Sequence, residues 1–230
     1  MSNHQVFVNQ PNWLFLLKSQ LKFFYNHKYS ISNINTVVNQ LSNQNEDARS
    51  GAINDLVSIA NHNPQSQWII IDLLCKFVKK YAPLTATDNS SRNFTSKSHQ
   101  LLQSIMHIIC SRDMNRVSMD EQIDLSYTDL RGLDLPGANL QQANLYQANL
   151  SDANLLGANL SGTILTAARL SRANLRLVNL SEAILNAANL DCADLSGANL
   201  HQANLFLANL KGAKLTGVNL DRANLRESKL

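Results

Sequence analysis

Histidine, cysteine and arginine are the residues here most able to carry chemistry, and they are scattered along this chain of 230 residues. No histidine has helix-spaced metal partners, and no nucleophile elbow or phosphate-binding loop is present. The three cysteines also lack metal-ligand spacing, and such a sparse, odd count is typical of reduced thiols in the cytoplasm. The chain therefore predicts no enzyme, no catalytic residue, no cofactor, no metal site and no small-molecule substrate. These histidines and cysteines are His4, His27, His62, His99, His107, His201, Cys75, Cys110 and Cys192.

A five-residue repeat positions every side chain from Leu125 to Leu230. Every fifth residue is leucine in all 22 units, alanine lies two residues earlier in 15 units, and Asn or Asp directly precedes the leucine in 13 and four units. On a helix this period would spread the leucines around the circumference, and on a flat strand it would alternate them between faces. The chain must therefore turn once per unit and form a solenoid.

The run A-(N/D)-L-x-x, as in Gly137–Gln141 and Gln142–Tyr146, resembles the pentapeptide-repeat family over roughly residues 121 to 230. In that family four units make one square coil of 20 residues. The resemblance implies a right-handed quadrilateral parallel β-helix, and 22 units would make about five and a half coils.

The centre leucines are predicted to fill the axis of the solenoid, beside small alanines. Asn and Asp tolerate tight turns and bond their own backbone, which suits a corner in every unit. A carboxylate is not expected to stack on His201, which lies on an exposed corner. The predicted core residues are Leu140, Leu145, Leu150, Leu155, Leu160, Leu165, Leu170, Leu175, Leu180, Leu185, Leu190, Leu195, Leu200, Leu205 and Leu210.

The first half of the chain has the apolar period of helices, with helices expected at about Glu46–Ala60, Gln65–Tyr81 and residues 99–112. The segment beginning Glu46–Ile53 resembles the helical segment that precedes the repeats in many bacterial, notably cyanobacterial, family members. Such helices can cover the first coil, whose strand edges and leucine-lined axis would otherwise be exposed.

The predicted fold class is therefore an α-helical domain followed by a β-solenoid. The helical domain is assigned to residues 1–118, with a polar linker at about 82–98, and the β-helix to residues 119–230.

Charge is distributed unevenly but weakly. Residues 1–120 carry 11 basic and seven acidic residues, a net +4, and residues 121–230 carry nine and ten, a net −1. Neither half therefore predicts nucleic acid as a partner. Some family members protect DNA gyrase by imitating DNA with an acidic rod, and this near-neutral repeat disfavours that alternative.

A second alternative is peripheral membrane binding through Trp13–Lys28, which combines aromatic residues with lysines. A helix packed as part of the cap explains the same residues better. The apolar run Trp13–Tyr25 is interrupted by two lysines and is too short to span a bilayer.

One predicted face of the rod has an apolar surface. If residues 20 apart stack, the outward positions beside Leu125, Leu145, Leu165, Leu185 and Leu205 form a continuous apolar stripe, which suggests a contact surface. Alternatively, the chain's own helices or linker cover it, or the residues are ordinary exposed apolar side chains. The residues of this apolar stripe are Tyr127, Tyr146, Ile164, Ile184, Phe206 and Leu207.

Two further contacts are predicted. Arg169, Arg172 and Arg176 form a candidate basic patch for an acidic partner or phosphate, although nearby carboxylates also fit a solvated mixed-charge surface. The coil around Leu215–Leu230 is a candidate homodimer contact, by analogy with relatives that pair end to end. Simple exposure of its charged side chains is the alternative.

Together these features predict a non-enzymatic scaffold or regulator in the cytoplasm, which binds another protein through a rigid β-helical rod. The resemblance supplies the setting by analogy of fold alone.

Overall fold

A computed structural model describes most of the second half of the chain and part of the first. The predicted segment Trp13–Lys28 lies outside the described residues, and so does the predicted domain boundary between residues 118 and 119, which stays a prediction. The chain divides into two compact units, Met1–Ile70 and Ile71–Leu230. The described residues are 37, 40–41, 45–62, 67–84, 96–111 and 122–230.

Three complete helices occur among the described residues: α1, Glu46–His62; α2, Gln67–Tyr81; and α3, Ser96–Cys110. The Asn45 side chain accepts a hydrogen bond from the backbone of Asp47 at 2.9 Å, which caps the start of α1. All three helices match the predicted segments to within a few residues. The last, α3, begins inside the segment that was predicted to be linker.

Residues 122–230 form a β-solenoid held together by parallel bridges between residues 20 positions apart. On each side of a coil only one residue forms a β-bridge to the neighbouring coil. The chain then turns within the next three residues. Four columns of bridges define four faces, which are named here by their first members. Face A begins at Asp124, face B at Asp129, face C at Asp134 and face D at Asn139.

Every corner of the solenoid has left-handed backbone at the second residue after the leucine. Glycine adopts this conformation freely and fills seven of these corners, whereas 14 carry other residues, which pay a conformational cost. Asn and Asp offset this cost locally. The Asn139 side chain, for example, accepts a hydrogen bond from the backbone of Gln141, and Asn144 accepts one from Tyr146.

The core of the solenoid is built from the centre leucines and the small residues beside them. All 15 leucines predicted for the core, from Leu140 to Leu210, are at most 2% exposed. The larger residues Ile123, Thr128 and Leu133, which take the alanine position in the first coil, are fully buried as well. By contrast Leu215, Leu220 and Leu225 are only half-buried, and Leu230 is 77% exposed.

The edge of the first coil is covered by residues of α2 and α3, which belong to the same compact unit, Ile71–Leu230. The first of these contacts comes from Gln103 on α3. In later coils, the backbone N–H before a centre leucine donates to the preceding coil, as Asn154 does to Leu133. At Asp134 the side-chain amide of Gln103 takes that role: its Oε1 accepts from Asp134 N at 2.9 Å, and its Nε2 donates to Asp134 O at 2.5 Å. One side chain thus replaces a missing peptide group.

The end of α2 covers the neighbouring faces. Ala82–Leu84 runs antiparallel to the first coil: Asp129 N donates to Ala82 O, and Leu84 N donates to Tyr127 O. Lys79 extends from the last turn of α2 and pairs with Asp124. Strand edges are prone to unwanted pairing, and these contacts satisfy the edge within one chain.

Candidate functional site

The six residues of the apolar stripe lie on face A or at its corners, as the 20-residue register requires. Tyr127, Ile184 and Leu207 are 49%, 40% and 48% exposed, and the other three are half-buried. At one end, the rings of Tyr127 and Tyr146 pack edge to face, with their centres 5.2 Å apart. This end of the stripe is therefore ordered by its own packing.

Face A differs from face D in its side-chain ladder. On face D, four side-chain amides each donate to the side-chain oxygen of a residue in the preceding coil, from Asn159 to Asn219. On face A such bonds occur only at its ends, where Asn144 donates to Asp124 and Asn224 donates to Asn204. Ile164 and Ile184 occupy the two rungs between them and bridge to each other. The stripe therefore replaces polar contacts of the repeat with exposed apolar area.

The surface of the stripe is shaped like a saddle. In the column of Tyr146 and Phe206, its two middle coils carry the smaller residues Thr166 and Asn186, and in the next column they carry Ala167 and Ala187. Beside Ala187, the Oδ1 atom of Asn186 is the one buried side-chain polar atom without a hydrogen bond among the described residues. Such atoms are rare in folded proteins and call for an explanation.

Outside the stripe, three large apolar side chains of the described residues are exposed, at Leu156, Leu177 and Leu230. Leu177 is 65% exposed, but part of it lies over Gly197, where a Cβ atom would come within 2.8 Å of Leu177 Cδ2. Leu156 and Leu177 lie on face C in adjacent coils but at different corner positions, so they form no comparable column.

The basic patch is partly neutralised. Arg172 makes two hydrogen bonds of 2.7 Å to the carboxylate of Asp152 in the preceding coil. These bonds lower the pKa of Asp152, and they raise that of Arg172. Arg169 and Arg176 are exposed, and Arg169 interrupts the ladder of face B. The mixed-charge interpretation therefore describes Arg172 well, whereas Arg169 and Arg176 present their charge to solvent.

The expectation for His201 was wrong. Asp221 follows it by 20 residues, so the two side chains stack, and His201 Nδ1 lies 3.1 Å from Asp221 Oδ2. The 20-residue register predicts this pair, because residues 20 positions apart stack on the same face.

Two of the scattered histidines and cysteines lie together in the structure. His107 and Cys110 line a cleft of about 480 Å³ between α3 and the first coil, together with Asp134 and Pro136. The sequence did not predict this cleft, because no repeat register relates α3 to the first coil. No group of histidine, cysteine and carboxylate residues suited to a metal ion occurs among the described residues.

Among the helices that the structure describes, none is long and apolar enough to cross a membrane. Cys75, Cys110 and Cys192 form no disulfide with one another.

Comparison with known families gives one clear match. The model of the family described as Pentapeptide repeats matches in eight copies, over residues 123–162, 143–181, 163–202 and 203–230. No curated protein sequence is significantly similar to the chain.

Several solved structures are similar to about half of the chain. The chain is 36% identical to the pentapeptide repeat protein Rfr23 of the cyanobacterium Cyanothece 51142, covering 50% of this chain and 91% of that one, with a TM-score of 0.45. It is 36% identical to a pentapeptide repeat protein of the Arabidopsis thaliana thylakoid lumen, over 46% and 70% of the two chains, with a TM-score of 0.36. It is 34% identical to HetL of the cyanobacterium Nostoc, a protein involved in the regulation of heterocyst differentiation, over 46% and 62%, with a TM-score of 0.21.

Proposed function

Because the chain belongs to the pentapeptide-repeat family, we propose that it is a non-enzymatic scaffold or regulator that binds another protein through its β-helical rod. The proposed contact surface is the apolar stripe on face A. The observation that carries this proposal is the interruption of the side-chain ladder at Ile164 and Ile184, where polar contacts of the repeat give way to exposed apolar area.

The energetics support this choice of surface. Burial of an exposed apolar side chain by a partner contributes about 25 cal/mol of binding free energy for each Å² removed from water. An asparagine at position 184 could instead accept the amide of Asn204, as Asn204 itself accepts that of Asn224. An asparagine at this position would therefore restore a hydrogen bond of the ladder, whereas a partner that covers the stripe favours isoleucine.

The test compares what the protein captures from a lysate of its host with what a variant captures. The variant combines Ile164→Lys, Ile184→Lys and Phe206→Lys and must show an unchanged circular dichroism spectrum. The matched control is Leu177→Lys, which adds a lysine at an exposed apolar position on another face. We expect one protein to be lost with the triple variant and retained with the control. Identical captures from all three proteins would refute the stripe as the contact surface.

The proposal also covers the handedness of the solenoid, its number of coils and the location of the protein. We propose that the solenoid is right-handed and has about five and a half coils, with four units in each coil. The sparse, odd number of cysteines supports the cytoplasm as its location. A regulatory role like that of HetL is one setting for such a scaffold.

The exposed arginines support a second, smaller contact. We propose Arg169 and Arg176 as its centre, with an acidic protein segment as the partner. The double variant Arg169→Glu/Arg176→Glu should lose a partner whose binding weakens steeply between low and high salt. Arg172→Ala is a poorer test, because it also breaks the pair with Asp152.

We also propose that two copies of the chain contact each other through the coil around Leu215–Leu230. Light scattering across a concentration series should show a dimer that dissociates on dilution. A monomer at the highest concentration would remove this part of the proposal.

A further inference from the structure

Building on the proposed function of the apolar stripe, we infer that its occupant is an amphipathic α-helix of the partner, which lies across the rod rather than along it. The helix would occupy the saddle between Tyr146 and Phe206, over Ile164 and Ile184. Its N-terminus would lie near Glu182, and its C-terminus would lie toward Arg169.

The spacing of the coils fits a helix. Coils of a β-solenoid stack about 4.8 Å apart, so the three steps from Tyr146 to Phe206 separate the two walls by about 14 Å. A helix with its side chains is about 10–12 Å in diameter. The two coils between the walls carry Thr166 and Asn186 in the same column and Ala167 and Ala187 at the next corner, so a helix can approach their backbone closely.

The floor of the saddle provides apolar contact without charge. From Asn144 to Leu207, no outward position of face A carries a charged residue. The two isoleucines lie on the floor beside Thr166 and Asn186, and a tyrosine and a phenylalanine form the walls. The isoleucines suit leucine or methionine side chains from one face of a helix. Next to them, the unpaired Oδ1 of Asn186 is an acceptor that a donor from the occupant would satisfy after a change of rotamer.

Charge complementarity sets the direction of the helix. Glu182 is exposed at the corner where the chain enters face A, and Arg169 is exposed just beyond the opposite corner. A helix has partial positive charge at its N-terminus and partial negative charge at its C-terminus. A helix that points from Glu182 toward Arg169 therefore meets an opposite charge at each end.

An extended strand is a poor alternative occupant. It would need free backbone groups, whereas those of the floor bond along the rod, as Leu165 N does to Ile184 O and Ile184 N does to Thr163 O. A second copy of the rod also fits poorly. In an antiparallel pair, the bulky walls at Tyr146 and Phe206 would meet each other and leave the saddle empty.

The experiment uses the full-length protein and a pool of helical peptides as the probe. Each peptide has about 12 residues, or ~18 Å of helix, a side-chain lactam bridge and blocked termini. Ala, Leu, Ile, Met and Phe are varied at the positions of one face, and Lys and Glu are placed in the first and last turns. A second pool has the same composition with alternating prolines, which prevent helix formation. Binding of the best member of each pool is measured by fluorescence anisotropy.

We expect a helical peptide to bind at least tenfold more tightly than any extended one. Ala187→Lys should weaken its binding at least tenfold by filling the saddle, and Glu182→Lys should weaken it at least threefold. Leu177→Lys, the matched change on face C, should leave the affinity unchanged. A benzophenone at the centre of the peptide should crosslink to residues between Tyr146 and Phe206.

Three outcomes would overturn the inference: no binding by the helical pool, tighter binding by the extended pool, or equal weakening by Leu177→Lys. If the triple lysine variant still loses a captured protein from lysate in any of these cases, the proposed function stands and only the helical occupant is refuted.

Discussion

At the scale of the residue, each position of the five-residue unit has its own physical task. The centre leucine fills the axis, the alanine leaves room for it, and the Asn or Asp holds the turn through its side chain. The corner residue has left-handed backbone whether or not it is glycine. Departures from the unit are therefore informative, and those at Ile164 and Ile184 cluster on one face.

The first residue-scale prediction concerns the core. Leu185→Ala should lower the free energy of unfolding by about 2–5 kcal/mol, because the stacked coils cannot collapse into the cavity. Urea denaturation followed by circular dichroism measures the change. Leu177→Ala is the control, and as a largely exposed change it should stay within about 0.5 kcal/mol. Equal losses in the two variants would contradict the assignment of the axis.

A second prediction separates stability from binding at the stripe. Ile184→Asn should leave the free energy of unfolding unchanged or raise it by about 1 kcal/mol, because the new side chain can accept the amide of Asn204. The same variant should lose the captured partner. Thermal unfolding and the capture assay provide the two readouts. A drop of several degrees in melting temperature would show that Ile184 serves the fold instead.

At the scale of the element, the helices act on the solenoid through a few polar contacts. Gln103 of α3 imitates a peptide group, Ala82–Leu84 supplies backbone to the first coil, and Lys79 of α2 pairs with Asp124. These contacts satisfy the exposed edge of the first coil.

Removing the Gln103 amide tests this role. Gln103→Leu should cost about 1–3 kcal/mol, because it leaves the N–H and C=O of Asp134 without their partner. Hydrogen exchange at Asp134 should accelerate, whereas exchange at Asp194, in a later coil, should not change. Gln100→Leu, at an exposed position on the same helix, is the control. Unchanged exchange at Asp134 would contradict the proposed role of Gln103.

The contact between α2 and the first coil should also depend on pH. Burial raises the pKa of Asp124, but hydrogen bonds from Lys79 and Ser126 outweigh it, so this pKa lies below its usual value of 3.8. The stabilisation is therefore complete above about pH 4 and is lost as the pH falls through the lowered pKa. Melting temperatures of the wild type and Lys79→Met should differ at pH 6 and converge at acid pH. A constant difference would contradict this linkage.

At the scale of the whole molecule, the repeat segment is a rod with four unlike faces and a nearly balanced charge. Its ten acidic residues are accompanied by nine basic ones, and pairs such as Arg172 with Asp152 break up the acidic columns. A DNA-like surface requires a continuous array of negative charge, which these faces lack. Face A is distinguished by apolar area instead.

The corresponding prediction is functional. In a supercoiling assay with DNA gyrase, the protein should neither inhibit the enzyme nor protect it from inhibitors at micromolar concentration. Inhibition that weakens when the carboxylates of the rod are replaced by amides would restore the DNA-mimic alternative.

The sequence by itself determined the solenoid, because a strict five-residue period leaves no other way to bury every leucine. The resemblance to the family supplied four units for each coil, and with them the 20-residue register that decides which residues share a face. The apolar stripe and the pair of His201 with Asp221 were therefore both readable from sequence, although the second was missed.

Only the tertiary structure decided how the first coil is capped and where the stripe becomes a saddle. The contacts of Gln103 and Lys79 join residues 31 and 45 positions apart, across segments that share no repeat. No periodic pattern encodes such contacts, because they depend on how the helices pack. The unpaired Asn186 oxygen likewise depends on the packing of its neighbours. Repetition determines what stacks within the rod, whereas packing between unlike elements must be seen in three dimensions.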